Sequence, residues 1–389
     1  MSFSALHPFT SPSSTYQAAK TVSETIEAIF RQHLETVRAK GEEDLAEVPQ
    51  ATFIESMLDT AFWASLRREE GHATRISLAF LPPEQAEQPM VLDKRISLTS
   101  GMLTKLAPGF ERPGVYLGIW YEGEELYIWG ATLNIPNCCF VLDVSEPGLL
   151  VIKHRRLGGF GKFSNIAVLK GDEVKVVEEF APHVSDCPSM IRSSLDFTTT
   201  SLWDDSVNVL LQLAVSMRTH NRGGTLLLVP TASQEWRRSI RQPMHYAIAP
   251  QFSGLADLMR KDVKEHSSSD WQKALNREIE ILAGLTAIDG AIIMNDEYEL
   301  LAFGEKITRP EGNGLIEQLL VTEPIRGGKA QVVHPAQHGG TRHLSAAQFI
   351  HDQHDSIALV ASQDGHFTVF TWSQKEQLVQ AHRIDALLL

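Results

Sequence analysis

Two short stretches carry residue types that can do chemistry. The first is Ile288-Asp289-Gly290-Ala291, where a helical pattern ends and an apolar run begins. An acid at such a junction, followed by glycine and a small residue, can hold a metal ion or accept a proton while the backbone approaches a ligand closely. The same pair also reads as an ordinary Asp-Gly turn. The second stretch is His338-Gly339-Gly340-Thr341-Arg342-His343-Leu344-Ser345-Ala346-Ala347, two glycines ahead of polar and basic residues and a helical run. Phosphate groups favour this composition, because glycine loops expose backbone N–H groups, a helix N-terminus carries partial positive charge, and arginine donates in a fork. The competing reading is a helix start capped by Thr341 or Ser345, with Arg342 solvated.

Other candidates are weaker. The run Gly158-Gly159-Phe160-Gly161-Lys162-Phe163-Ser164 has the glycine content of a phosphate loop, but Arg156 stands where its first glycine belongs and Phe163 where its Ser or Thr belongs, so it reads as a glycine-rich loop. His351 and His354 could share a helical face, yet the glutamate and spacing of a zinc protease are missing, which leaves a solvated polar face. Trp120, Tyr121, Tyr127 and Trp129 alternate as the core aromatics of a strand pair do. Three cysteines, two of them the adjacent Cys138 and Cys139, make neither a disulfide framework nor a CxxC zinc site and read as small buried hydrophobes.

The elements that must position these residues follow from periodicity. Residues 1–17 form a polar leader. Val22, Ile26, Ile29, Phe30 and Leu34 then place one apolar face on a helix over 18–40, with Thr21 or Ser23 to cap it. Residues 41–49 read as a loop, and 52–68 as a second helix stopped by Gly71. Short apolar runs at 76–81, 115–121, 126–129, 139–144 and 149–152 read as strands of a largely antiparallel sheet, with a hairpin turn at Glu122-Gly123-Glu124-Glu125. A linker is expected within 178–200. Helical period resumes with Val207, Leu210, Leu211, Ala214 and Met217, ends at Asn221-Arg222-Gly223-Gly224, and gives way to a buried strand over 225–229. Helices over 255–264 and 271–285, a hairpin of 291–294 with 299–303, a helix over 345–351 and a hairpin of 357–361 with 366–370 complete the pattern. Interleaved helices and strands predict an α/β fold for 201–389, a mixed sheet flanked by helices, behind an α+β unit over 18–184.

Bulk properties bound the rest. At 389 residues, with 43% hydrophobic and 21% charged, the chain is long enough for two globular cores and far from the signature of disorder. A net charge of -13 excludes a sequence-independent nucleic-acid binder, while a local basic pocket stays open. No basic start with an apolar h-region and no run approaching a membrane span is present, so a cytoplasmic protein without a membrane partner is expected.

Taken together, Asp289-Gly290-Ala291, Gly340-Thr341-Arg342-His343 and the strand at 357–361 leading to Ser362 resemble the diadenylate cyclase (DAC) domain family. That family carries Asp-Gly-Ala at the start of a strand, followed by Gly-x-Arg-His-Arg. The resemblance covers about residues 201–370, including the Gly-Gly pair and the strand at 225–229. It implies a domain that binds ATP or an adenine cyclic dinucleotide and works as a homo-oligomer, two domains meeting face to face to condense two ATP into cyclic di-AMP with Mg²⁺ or Mn²⁺. By the same resemblance Asp289 is the catalytic and metal-binding acid. Gly290, Ala291, Gly340, Thr341, Arg342, His343 and Ser345 contact the nucleotide, and Ser362 the phosphate chain. Two positions depart: Leu344 replaces the second Arg, and Gln363, with Asp364 after it, replaces the acid that follows the serine. Leu cannot replace a bidentate donor, so catalysis needs another basic residue, for which Arg326, Lys329 and Arg383 are the candidates. Three readings follow: a divergent cyclase with a regulatory N-terminal domain, a nucleotide sensor that signals to a partner protein, and an interaction module with an empty pocket.

Overall fold

The computed structural model describes residues 14–39, 41, 45–155, 163–177, 209–261, 265–266 and 268–389. The linker expected within 178–200 and most of the glycine-rich loop at 158–164 lie outside the described residues. The described chain divides into two compact units, the first running to Val176 and the second starting at Val177.

The first unit opens with helices α1 (Gln17–Arg38) and α2 (Ala51–Ser65), followed by β1 (Arg68–Glu69), β2 (His72–Ala73), β3 (Ile76–Phe80), β4 (Met90–Ser97), α3 (Ser100–Phe110), β5 (Tyr116–Glu122), β6 (Glu125–Thr132), β7 (Phe140–Glu146), β8 (Leu149–Arg155), β9 (Phe163–Lys170) and β10 (Glu173–Val176). The apolar spacing of α1 buries Val22, Ile26, Phe30 and Leu34 as predicted. Its start is secured differently. Thr21 and Ser23 lie inside the helix and donate to the carbonyls of Gln17 and Ala19. The carboxylate of Asp59, on α2, instead accepts from the N–H groups of Thr15 and Tyr16 at 2.8 and 2.7 Å. Tyr16, grouped by sequence with the leader, is buried and stacks on Phe62 at 3.8 Å. Helix α2 ends before the predicted stop, because Glu70 and Gly71, at φ of 50° and 88°, turn the next residues into the β1–β2 ribbon.

Eight strands form one sheet in the order β10-β9-β8-β7-β3-β5-β6-β4, antiparallel except for β3 beside β5. The crossover between that parallel pair contains α3. Its Gly101, Pro108 and Gly109 hid it from periodicity, and Thr99 caps it by accepting from the Met102 N–H at 3.2 Å. The helices cover one sheet face over Phe80, Leu117, Ile119, Ile128 and Leu142. The opposite face holds a smaller cluster around Tyr116, Trp129, Cys139 and Val141. Of the four aromatics expected in the core, Trp129 is buried, while Trp120, Tyr121 and Tyr127 are half-buried. The Trp129 indole lies across Gly118, where a Cβ would fall 2.0 Å from the ring, and its N–H donates to the Leu81 carbonyl at 2.7 Å.

The second unit contains α4 (Val209–Thr219), β11 (Gly224–Val229), β12 (Ala247–Phe252), α5 (Gly254–Met259), α6 (Ser269–Leu285), β13 (Ala291–Asn295), β14 (Leu300–Glu305), β15 (Leu319–Thr322), β16 (Gln331–Val333), α7 (Thr341–Asp352), β17 (Ile357–Ala361), β18 (Phe367–Ser373) and β19 (Leu378–Arg383). Its nine strands run β12-β14-β13-β11-β17-β18-β19-β15-β16, parallel at β11/β13 and β15/β19 and antiparallel elsewhere. Strand β11 sends Leu226 and Leu228 into a core shared with α4 and α6, and Leu227 and Val229 into the core beneath α7. Burial on both faces is why this strand reads as an unbroken apolar run. The mixed sheet with flanking helices is the α/β architecture expected. No helix among the described residues is long and apolar enough to cross a membrane.

The crowding at Gly118 gives a stability test. Gly118→Ala should cost about 1–3 kcal/mol through overpacking against Trp129. Gly109→Ala, at a helical position with nothing within 4 Å of the new Cβ, should be neutral or stabilise by up to about 1 kcal/mol. Urea unfolding of both variants would read the two signs.

Candidate functional site

A cleft of about 510 Å³ opens at one end of the central strands of the second unit. It lies at the amino ends of β11 and β13 and the carboxyl end of β17. In most open α/β sheets ligands gather at the carboxyl ends of the strands instead. Register explains the convergence: Thr225 is paired with Ala291 on one side and Val360 on the other. From the two motifs Asp289, Gly290, Ala291, Gly340, Thr341, Arg342, His343 and Ser345 line this cleft, together with Ser362, Gln363 and Asp364 from the β17–β18 turn. Thr225, Glu305, Lys306 and Ile307 line it too and were not singled out.

Glycines set the spacing of the walls. Gly290 has φ of 126°, and a Cβ there would fall 2.4 Å from the backbone of Gly304 on β14. This glycine is therefore required by the neighbouring strand, whatever else it touches. Gly223, at φ of 69°, makes room for Arg342: a Cβ would sit 2.8 Å from Nη1 of that guanidinium and 3.1 Å from the Ala361 carbonyl oxygen.

The second motif forms the first turn of α7, which starts four residues earlier than the helix expected at 345. Its N-cap is Gly340, with no side-chain cap, so neither Thr341 nor Ser345 plays that role. Ser345 donates its hydroxyl proton back to the Thr341 carbonyl. The first amides of an α-helix have no intrahelical acceptor, so the uncapped first turn lies beside the cleft as a donor surface of positive potential.

Charge in the cleft is mixed. The Asp289 carboxylate is exposed and meets Lys306 Nζ at 2.6 Å. That hydrogen bond and the lysine charge, helped by Arg342, hold its pKa below the usual carboxylate range. Glu305 is buried and accepts from the Tyr246 N–H at 2.9 Å. His343 is buried beside Phe370, and desolvation, reinforced by the charges of His366, Arg383 and Arg342, pushes its pKa down to about 4. It is a neutral group at pH 7. Ser362 accepts from the His366 N–H at 3.1 Å, which closes its turn and leaves its own proton to donate.

The departures take a specific place. Leu344 is 42% exposed and is not part of the cleft lining. Nor are Arg326, Lys329 and Arg383, the basic residues considered as substitutes; Arg383 pairs with Asp385 at 3.5 Å. The cation that accompanies Arg342 in the cleft is Lys306. Lys306 follows β14 beyond the apolar run at 299–303 that announces the strand, so local pattern does not place it beside Asp289. The pair His351 and His354 is not a helical metal face either. Helix α7 ends at Asp352, and the His354 ring stacks on Trp372 at 3.6 Å. Among the described residues no group of three acidic, histidine or cysteine side chains is spaced to hold a metal by itself.

Comparison with protein families places residues 43–133, the span from just before α2 to the end of β6, in a match to the family model described as "Probable sensor domain DACNV". Comparison with curated proteins gives no match.

One buried and one half-buried histidine, His343 and His338, make stability depend on pH. His338 and His343 both have folded pKa values pushed down to about 4, against 6.5 when unfolded. The unfolded chain then binds more protons between these values, so stability is full above 6.5 and is lost as pH falls toward 4. NMR titration should show two imidazoles that stay neutral down to pH 5, and their titration near 6.5 would contradict this placement.

Proposed function

We propose that the chain is a nucleotide-binding sensor protein, whose second unit holds ATP or an adenine cyclic dinucleotide in the cleft and whose first unit detects a signal. The observation that carries the reading is the meeting, on one cleft, of the uncapped start of α7, Arg342 and Lys306 with the glycine-walled entrance to β13. Backbone donors, a helix start and a forked guanidinium are what phosphates select, and a cleft of this volume suits one nucleotide. The sensor description matched over 43–133 supports the assignment of the signal-receiving role to the first unit. Two copies meeting face to face, and a partner protein that receives the output, belong to the same proposal.

Condensation of two ATP into cyclic di-AMP is the second reading. Each 3′-hydroxyl would lose its proton and attack the α-phosphorus of the other ATP, releasing two pyrophosphates. Positioning and charge neutralisation supply most of the catalysis in such a transfer. Lys306 favours this reading, because it restores a second cation beside Arg342. Asp289 tempers it: a carboxylate held below its ordinary pKa is a weak proton acceptor and a good cation ligand. A nucleotide-bound Mg²⁺ or Mn²⁺ takes most of its ligands from phosphate and water, so Asp289, with Asp364 nearby on the lining, fits as its protein ligand. The bound ion would neutralise phosphate charge.

Arg342→Gln and Lys306→Gln should each weaken ATP binding about tenfold in calorimetry, the worth of one charge-assisted hydrogen bond of about 1.5 kcal/mol. Incubation with ATP and Mn²⁺ should yield little or no cyclic di-AMP from the native chain and none from Asp289→Asn. Vigorous native synthesis untouched by Asp289→Asn would overturn the role of Asp289, and absence of nucleotide binding would overturn both readings.

A further inference from the structure

A second cavity, of about 420 Å³, is lined in the first unit by residues of β4, β5 and β6 and by Pro83 and Glu84 after β3. Its lining comes entirely from the segment that matches the sensor family, which gives it a place in the reading above. We propose that it binds a small organic cation of alkylammonium or guanidinium type; the inference rests on the reading of this unit as a sensor and names what it detects.

Four aromatic residues line the cavity: Trp120, Tyr121, Tyr127 and Trp129. Trp129 is fixed and buried, its ring seated on Gly118 and its N–H committed to the Leu81 carbonyl, so it stiffens the cavity and the half-buried Trp120, Tyr121 and Tyr127 are the rings that can meet a ligand. Carboxylates outnumber cations around the rings. Glu84, Asp93 and Glu122 line the cavity against the single Arg95. Rings that attract a positive charge at their faces, with an excess of acid at the rim, select a weakly hydrated cation over an anion or a neutral ligand. A hard metal ion would need oxygen ligands where the rings stand.

The chain also supplies a resident cation. The Arg95 guanidinium lies 4.5 Å from the centroid of the Tyr127 ring and pairs with Glu122 at 2.6 Å. Both side chains are more than half exposed, at 56% and 76%, so the pair is weak and easily exchanged. Arg95 is a self-ligand that an incoming cation displaces from Tyr127, while β4 stays paired with β6.

The test titrates the full-length protein with tetramethylammonium and methylguanidinium chlorides, read by calorimetry and tryptophan fluorescence. Sodium chloride at equal ionic strength and the neutral isostere 3,3-dimethylbutan-1-ol serve as comparisons. Saturable binding of at least one cation is expected, with none of the isostere. Arg95→Gln should tighten it about threefold by removing the resident competitor. Asp93→Asn, an exposed change that spares the fold, should weaken it by a similar factor. No saturable cation binding, equal binding of the isostere, or weakening by Arg95→Gln would each overturn the site. An ATP titration of the same preparation separates the two readings. ATP binding without cation binding rejects this cavity alone, and cation binding that leaves ATP affinity unchanged keeps the cavity while removing the sensor role of the unit.

Discussion

Strands β13, β11 and β17 lie side by side with both faces buried, and almost every side chain along them is apolar. A strand in that position must pair its backbone fully and cannot slip, because a shift of one residue would send each side chain to the opposite core. The register so fixed aligns Gly224 with Ala361 and Thr225 with Ala291. Neighbouring strands are about 5 Å apart, so the loops leaving their ends are held within about 10 Å of one another. Segments far apart in sequence, at 225, 289 and 362, thus become walls of one cleft, and α7 is packed against the same strands with its first turn at the opening.

Electrostatics then divides the labour among groups that look alike in sequence. Arg342 and His343 are adjacent, yet one is a guanidinium beside the bare backbone of Gly223 and the other a buried, neutral imidazole. Lys306 keeps Asp289 ionised and occupies it at the same time. On the proposed reading, an arriving polyphosphate, with or without its cation, would compete for Lys306 and release the carboxylate. The cleft lining thus sets three carboxylates, Asp289, Glu305 and Asp364, against two cations, Lys306 and Arg342.

Much of this was legible from local pattern. Apolar runs buried on both faces, the hairpins at 295–298 and 362–365, and the amphipathic face of α1 all follow from periodicity and turn chemistry. What escaped depended on contacts distant in sequence. Helix α3 is interrupted by Gly and Pro and is held by packing and a Thr99 cap. Strand β19 buries Gln380 and His382, so its alternation looks polar, although His382 is paired with Thr322 at 2.6 Å. Lys306 became part of the cleft because β14 extends beyond the apolar residues that announced it, pairing with β13 through register shifts that no local signal encodes. The two glycine motifs were visible because their chemistry is local; the partner of Asp289 was not.

Amide hydrogen exchange with and without saturating ATP addresses the central claim most directly, since it reports where the nucleotide sits without requiring turnover. The account predicts slower exchange at the first turn of α7, at residues 290–291 and in the turn at 362–365, with the far ends of β11 and β17 unchanged. Bound ATP that leaves those three segments exchanging at their free rates would contradict it.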